Sequence, residues 1–350
     1  MKILVIFTGG TIGCGVPDEE GVMGIGDGRY YLIEHFEKQR KSGEGDVEFV
    51  TLEPLRTLSE NLTIDKWNVL IETMQKSSIE DFDGVIITHG TDTLAWTAAL
   101  FDRLLLGIKK PVVFVGADYN LYDKRSNGHS NFENAVDFIR NSGLEGAYVI
   151  FRNKRGKSMV YPGCQIKQSL TFIDEYDYAF GKVFGYMENG HLIKCSHEKP
   201  IIAGIKESDG TITARCSPLL YRIKRLAGEI IIIRPYVGLN YDHIDLDSTR
   251  VQAVVHETYH SFTACTEGGD ESPYSILYFN KRCRERGIPL YIAPFDEDIV
   301  SRKKDRYETA DAILGSDIIP LINMSLETAY AQILIDLSMK YVGKNPGENV

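Results

Sequence analysis

Over the first 150 residues, five short apolar runs, at 2–7, 47–52, 84–88, 112–116 and 147–151, alternate with longer amphipathic stretches. That alternation is the pattern of βαβ units, in which buried strands lie parallel and helices return the chain across the sheet. The intervening stretches carry helix signals of their own. Thr63 precedes a run in which Trp67, Leu70, Ile71 and Met74 fall on one helical face. Ser130 and Glu133 have the spacing of a capping box before Val136 and Ile139.

From 152 to 225 the chain is richer in Gly, Tyr and Lys, and its periodicity is weak. A hairpin and an inter-domain connection are expected there. Alternation resumes with apolar runs at 230–233, 251–255 and 290–293. Ser272 as N-cap, Pro273 at the first helical position and Gly287 past the end bracket a helix of about four turns. The expected fold class is therefore α/β: a doubly wound, mostly parallel sheet domain over 1–190, a connection over 191–225 and a smaller α/β domain over 226–350. A chain of 350 residues suits two domains. The polar tail 343–350 is expected to fray.

The net charge of −10 has no compensating basic block, since Arg302, Lys303 and Lys304 run at once into Asp305. A nucleic-acid partner is disfavoured on those grounds. No stretch approaches the roughly 20 apolar residues of a membrane span, and Met1 and Lys2 lead directly into the first strand without a signal segment. The six cysteines form no Cys-x-x-Cys pair. The expectation is a cytoplasmic protein with reduced thiols and no membrane or nucleic-acid partner.

Two of the apolar runs end in polar clusters. The first enters Thr8, Gly9, Gly10, Thr11 and Ile12, and open parallel sheets present ligand-binding residues at the carboxyl ends of their strands. A phosphate-binding loop is the competing reading, but neither Gly-Lys-Ser/Thr nor Gly-x-Gly-x-x-Gly spacing is present. The run at 84–88 enters His89, Gly90, Thr91, Asp92 and Thr93 before a helix with Leu94, Ala98, Phe101 and Leu105. One N-cap needs one side chain, so this cluster exceeds what a helix start requires.

Together, the two clusters resemble the signature segments of the bacterial-type asparaginases, and the likeness continues through Val115, Gly116 and Ala117 and through Arg125 to Gly128. The resemblance covers most of residues 1–140. It implies a larger doubly wound domain followed by a smaller α/β one, and hydrolysis of L-asparagine to L-aspartate and ammonia through a threonine nucleophile, without metal or cofactor. It makes Thr11 the nucleophile and places Thr91, Asp92 and Lys167 with it, Lys167 standing seven residues before Asp174. Gly10, Ser59, Glu60 and Ala117 become substrate-binding positions. A small amino-acid amide as substrate and a homodimer or homotetramer follow from the same resemblance.

Several features depart from that pattern. Val22 stands where the family carries a tyrosine on a mobile loop, with Tyr30 and Tyr31 further on. The Gly-rich stretch 21–28 still suits a lid. Glu60 is acidic where many asparaginases are neutral, and similar Ser-Glu-Asn wording occurs in the asparaginase-like component of archaeal tRNA-dependent amidotransferases, whose extra N-terminal domain is not expected here. An amidase for glutamine, D-asparagine or a tRNA-linked residue is thus an alternative, as is a non-enzymatic nucleotide-binding module. His256, Glu257 and His260 match the zinc-protease string His-Glu-x-x-His, but that string needs a helix and here it follows an apolar strand.

Overall fold

The computed structural model describes residues 1–13, 28–39, 46–173, 175–195, 219–247, 250–297 and 306–341. The expected lid at 21–28 therefore lies, up to residue 27, outside the described residues, as do Val22, Asp174, Arg302 to Lys304 and the tail. Two compact units divide the chain. Among the described residues, the first takes 1–195 with 219–224 and the second takes 225–341.

The first unit is built on β1 (Lys2–Phe7), β2 (Glu48–Leu52), β3 (Gly84–Thr88), β4 (Pro111–Val115) and β5 (Gly146–Arg152), paired parallel in the order β2-β1-β3-β4-β5. These are the five runs expected from the sequence, displaced by no more than a residue at each end. The interior strands β3 and β4 are buried along their whole length, which is why they read as continuous Val and Ile runs. Three antiparallel strands extend the sheet beyond β5: β6 (Ser158–Pro162), then β9 (Gly185–Glu188) and β10 (His191–Lys194), the last two forming a hairpin. β10 thus belongs to the large sheet, although its residues fall in the expected connection. A separate two-residue ladder joins β7 (Ile166–Lys167) to β8 (Asp177–Tyr178).

The helices of this unit are α1 (Gly28–Gln39), α2 (Ile64–Lys76), α3 (Leu94–Leu104) and α4 (Gly128–Asn141). Thr63 caps α2 by accepting from the Lys66 N–H, and Trp67, Leu70, Ile71 and Met74 are its buried face, as the spacing predicts. The capping box expected at Ser130 is not formed. α4 begins three residues earlier, with Asn127 at the cap position and Gly128 so close to Leu121 that a Cβ would collide with it. The Ser126 hydroxyl accepts from the Gly128 N–H, and the Ser130 hydroxyl instead donates back to the Asn127 carbonyl.

The second unit is a four-stranded parallel sheet in sequential order, β11 (Ile230–Ile233), β12 (Ala253–His256), β13 (Leu290–Phe295) and β14 (Ile319–Ile322). Its helices are α5 (Ile276–Glu285), α6 (Glu308–Leu314) and α7 (Leu326–Tyr341). Ile233, Val254, Phe279 and Ile292 lie in its core. α5 starts later than Ser272 and Pro273 predict. Those residues sit in a preceding turn whose Pro273 carbonyl accepts the Tyr241 N–H, and Ser275 becomes the cap, taking the Leu277 N–H on its hydroxyl. Gly287 does end the helix, at φ +67°. Among the described residues, no helix is long and apolar enough to cross a membrane.

Candidate active site

In the order β2-β1-β3-β4-β5 the direction of winding reverses between β1 and β3, and parallel α/β sheets bind ligands at the carboxyl ends of the strands flanking such a reversal. β1 and β3 end in register, Phe7 opposite Thr88. Beyond them the Thr8 hydroxyl, buried, donates to the Thr88 carbonyl at 2.7 Å. The chain then passes through Gly9 at φ +100° and Gly10 at φ +75° into a 3-10 turn over Thr11–Gly13. Positive φ at two successive residues is conformational space that L side chains rarely enter.

Three backbone segments meet here. Gly9 pairs with Thr57 in a parallel bridge, and the Gly10 N–H donates to the Thr57 carbonyl at 2.9 Å. A Cβ on Gly10 would lie 2.3 Å from the Gly90 Cα, and a Cβ on Gly90 would lie 2.6 Å from the Ser59 hydroxyl. Thr11 and Thr91, each next in the chain after one of the touching glycines, are thereby brought to one place. Ser59 is 4 % exposed, and its hydroxyl both donates to Asp92 Oδ2 and accepts from the Asp92 N–H, each at 3.2 Å. The Thr93 hydroxyl adds a bond to the Ser59 carbonyl at 3.0 Å. Glu60 follows Ser59 in the same 3-10 turn and is exposed.

His89 does not join this polar group. It is buried, its Nδ1 lies 2.8 Å from the Gly90 carbonyl and its Nε2 2.9 Å from the Thr97 hydroxyl, which also accepts from Trp67 Nε1 at 2.9 Å. Because the carbonyl can only accept, the network puts the ring proton on Nδ1 and leaves Nε2 to accept from Thr97. Burial pushes its pKa down to about 4, against the opposing effect of the Gly90 carbonyl, so the ring is neutral near pH 7. The histidine of the motif is a strut that ties α2 and α3 to the Gly90 turn. Only the contact between Trp67, Thr97 and His89 reveals this, and nothing in the local sequence signals it.

A cleft of about 290 Å³ opens on Thr91 and Asp92. Its other walls are Phe151 and, from the loop of the small hairpin whose stem is β7 and β8, residues 168–173 with Glu175 and Tyr176. The Tyr176 hydroxyl donates to the Thr91 carbonyl at 2.8 Å. Lys167 is on the stem, exposed and opposite Asp177, and among the described residues no hydrogen bond or ion pair joins it to Thr91 or Asp92. Ala117, just past β4, is buried against Gly128. The zinc-protease string is not helical: His256 is the last residue of β12, buried, with Nε2 2.8 Å from the Tyr241 hydroxyl.

Residues 2–176, half of the chain, match the family model for the N-terminal part of asparaginase. The chain belongs to the asparaginase family. Among its relatives, L-asparaginase 1 of Escherichia coli (strain K12) is 30% identical over 153 residues, a stretch that is 44% of this chain and 44% of that protein, so the match spans less than half the relative's length. A glutamyl-tRNA(Gln) amidotransferase subunit of Sulfurisphaera tokodaii is 23% identical over 345 residues, covering 95% of this chain and 70% of that one. In fold, this asparaginase-family chain is similar to the thermostable L-asparaginase from Thermococcus kodakarensis, with a TM-score of 0.73 at 21% identity over 99% of this chain and 98% of the other.

Proposed function

We propose that the chain hydrolyses L-asparagine to L-aspartate and ammonia, with Thr11 as the nucleophile. The observation that carries the reading is the contact of Gly10 with Gly90, since each glycine is followed by a threonine and the contact lies at the reversal between β1 and β3. In the proposed reaction the Thr11 oxygen attacks the side-chain amide carbon, the C–N bond breaks, and the nitrogen leaves as ammonia with the hydroxyl proton. Water then cleaves the Thr11 ester to release aspartate and restore the hydroxyl. Asp92 holds the substrate ammonium, oriented by Ser59. Glu60 is available to the same cation, and Gly10 and Ala117 bound the substrate pocket. Thr91 and Lys167 assist the proton transfers, Lys167 by family resemblance rather than by a contact. The oligomer, a homodimer or homotetramer, and a cytoplasmic site of action belong to the proposal on the same footing.

A second reading has its own support. The relative matched along 95% of the chain is named as part of a glutamyl-tRNA(Gln) amidotransferase, which favours an amide other than free asparagine. Ammonia release measured side by side on L-asparagine, D-asparagine and L-glutamine separates the two. The first reading requires L-asparagine to give the highest kcat/KM. A higher value on L-glutamine transfers the assignment to the second.

A further inference from the structure

We infer that Tyr176 is a positioning residue of the reaction, acting through the Thr91–Asp92 peptide group, an inference that rests on the amidohydrolase reading above. The two ends of that one peptide are held from opposite partners. Its carbonyl, on Thr91, accepts from the Tyr176 hydroxyl at 2.8 Å, and its N–H, on Asp92, donates to the Ser59 hydroxyl at 3.2 Å. A peptide group is planar, so fixing both ends fixes the plane and with it the directions in which the Thr91 and Asp92 side chains leave the backbone. The preceding carbonyl, on Gly90, is held in turn by His89.

Tyr176 is itself immobilised. It is 6 % exposed, its ring meets Phe151 edge-on at 5.2 Å and Tyr161 at 6.0 Å, and its own carbonyl accepts from the Tyr161 hydroxyl at 3.1 Å. A buried tyrosine ordinarily satisfies its hydroxyl on whatever backbone is near. Tyr178, in the same aromatic group, does so on the Val160 carbonyl at 2.9 Å, away from the turn. Tyr176 commits its hydroxyl to Thr91 instead. The far end of the same loop is pinned as well, Trp96 Nε1 donating to Gln168 Oε1 at 2.7 Å. The hairpin that carries Lys167 is therefore fastened at both ends of its loop to the start of α3.

The test compares Tyr176→Phe with Tyr178→Phe. Each removes one buried hydroxyl and keeps its ring, so the second reports the purely structural cost. With L-asparagine, Tyr176→Phe is expected to lower kcat about 10- to 100-fold with KM within about threefold, because small displacements of reacting groups cost rate far more than affinity. Tyr178→Phe is expected to leave kcat within about twofold. A kcat for Tyr176→Phe within twofold of wild type, or a loss matched by Tyr178→Phe, overturns the inference. Backbone hydrogen exchange over residues 91–93 provides a readout that needs no turnover: it should quicken in Tyr176→Phe alone, and equal exchange in both variants also overturns the inference. If the wild-type chain releases no ammonia from any amide, the amidohydrolase reading fails, and the exchange result still decides whether Tyr176 holds the turn.

Discussion

Ser59 and Asp92 exchange two hydrogen bonds through a single hydroxyl, which donates to the Asp92 carboxylate and accepts from the Asp92 backbone N–H. The pair links the turn after β2 to the start of α3, and it orients the carboxylate that the proposed reaction uses to bind the substrate ammonium. Ser59→Ala removes both bonds at once. A bond to a charged group is worth roughly 1.5 kcal/mol, so KM for L-asparagine should rise about tenfold, with kcat changed less than about threefold. Steady-state kinetics check this, and an unchanged KM would detach Ser59 from substrate binding.

Thr11→Ala should abolish turnover, by at least about a thousandfold, while the melting temperature stays close to that of wild type. Thr11 is only half-buried at the edge of the glycine contact, so the core loses nothing. Thr11→Ser, which keeps the hydroxyl, should retain measurable ammonia release. Substantial activity in the alanine variant removes Thr11 from the nucleophile's role.

Glu60 offers a test through charge. Its carboxylate is exposed beside Ser59, and the product L-aspartate carries one more negative charge than L-asparagine. Two unit charges about 4 Å apart in a watery setting interact by about 1 kcal/mol. Glu60→Gln should therefore tighten inhibition by L-aspartate about fivefold relative to the KM for L-asparagine, because the ammonium that Glu60 can meet is common to both molecules. An unaltered ratio of the two constants would place Glu60 away from the substrate.

Two buried histidines set an acid limit on stability, His89 in the first unit and His256 in the second. Burial pushes both to about 4, while the unfolded chain binds a proton on each near pH 6.5. Between those values unfolding takes up protons, so stability is fully present above pH 6.5 and falls as pH drops towards 4, by roughly 3 kcal/mol for each histidine. Melting temperatures measured from pH 7.5 to 4.5 should decline steadily. His89→Gln should flatten the part of that decline that belongs to the first unit.

Asp102 acts with the opposite sign. Burial raises its carboxyl to about 6, with Arg103 and the Cys164 contact pulling the other way. From pH 4 to 6 the folded chain keeps a proton that the unfolded chain has released, so this group's contribution to stability falls as pH rises through that window. In Asp102→Asn the difference in unfolding free energy between pH 4.5 and 7.5 should shift in favour of pH 7.5 by on the order of 2 kcal/mol. Urea titrations of both proteins at the two pH values measure the shift.

What the sequence made legible was local. Runs such as 84–88 are continuous in Val and Ile because both faces of the strand are buried, and that locates β1, β3, β4 and β5, whereas the edge strand β2 is largely exposed. The polar ends of β1 and β3 were legible for the same reason, since buried strands leave their chemistry to the loops. Helix starts were less so. Ser130 and Ser272 have the right spacing, yet the close approach of Gly128 to Leu121 and the use of the Pro273 carbonyl by Tyr241 shift both starts by two or more residues. These are contacts between residues well separated along the chain, which no local rule encodes. The roles of His89 and Tyr176 were hidden likewise, because each is defined by a partner brought near only by the fold: Thr97 and Trp67 in one case, Thr91 in the other.

The meeting of Gly9, Gly10 and Gly90 bears on how such a site can diversify. An added Cβ would meet backbone at 2.4 Å on Gly9 and 2.3 Å on Gly10, and the Ser59 side chain at 2.6 Å on Gly90, so even alanine has no room. Selection for a new amide has no purchase on these positions, and a combinatorial library that randomised them would return glycine or nothing. Variation is confined to the rim, to Glu60 and to exposed loop residues such as Leu170 and Phe172 between the pinned Gln168 and Tyr176, where side chains can change without parting the three touching segments. Substrate preference in this architecture is therefore free to drift while the seat of the proposed nucleophile stays frozen.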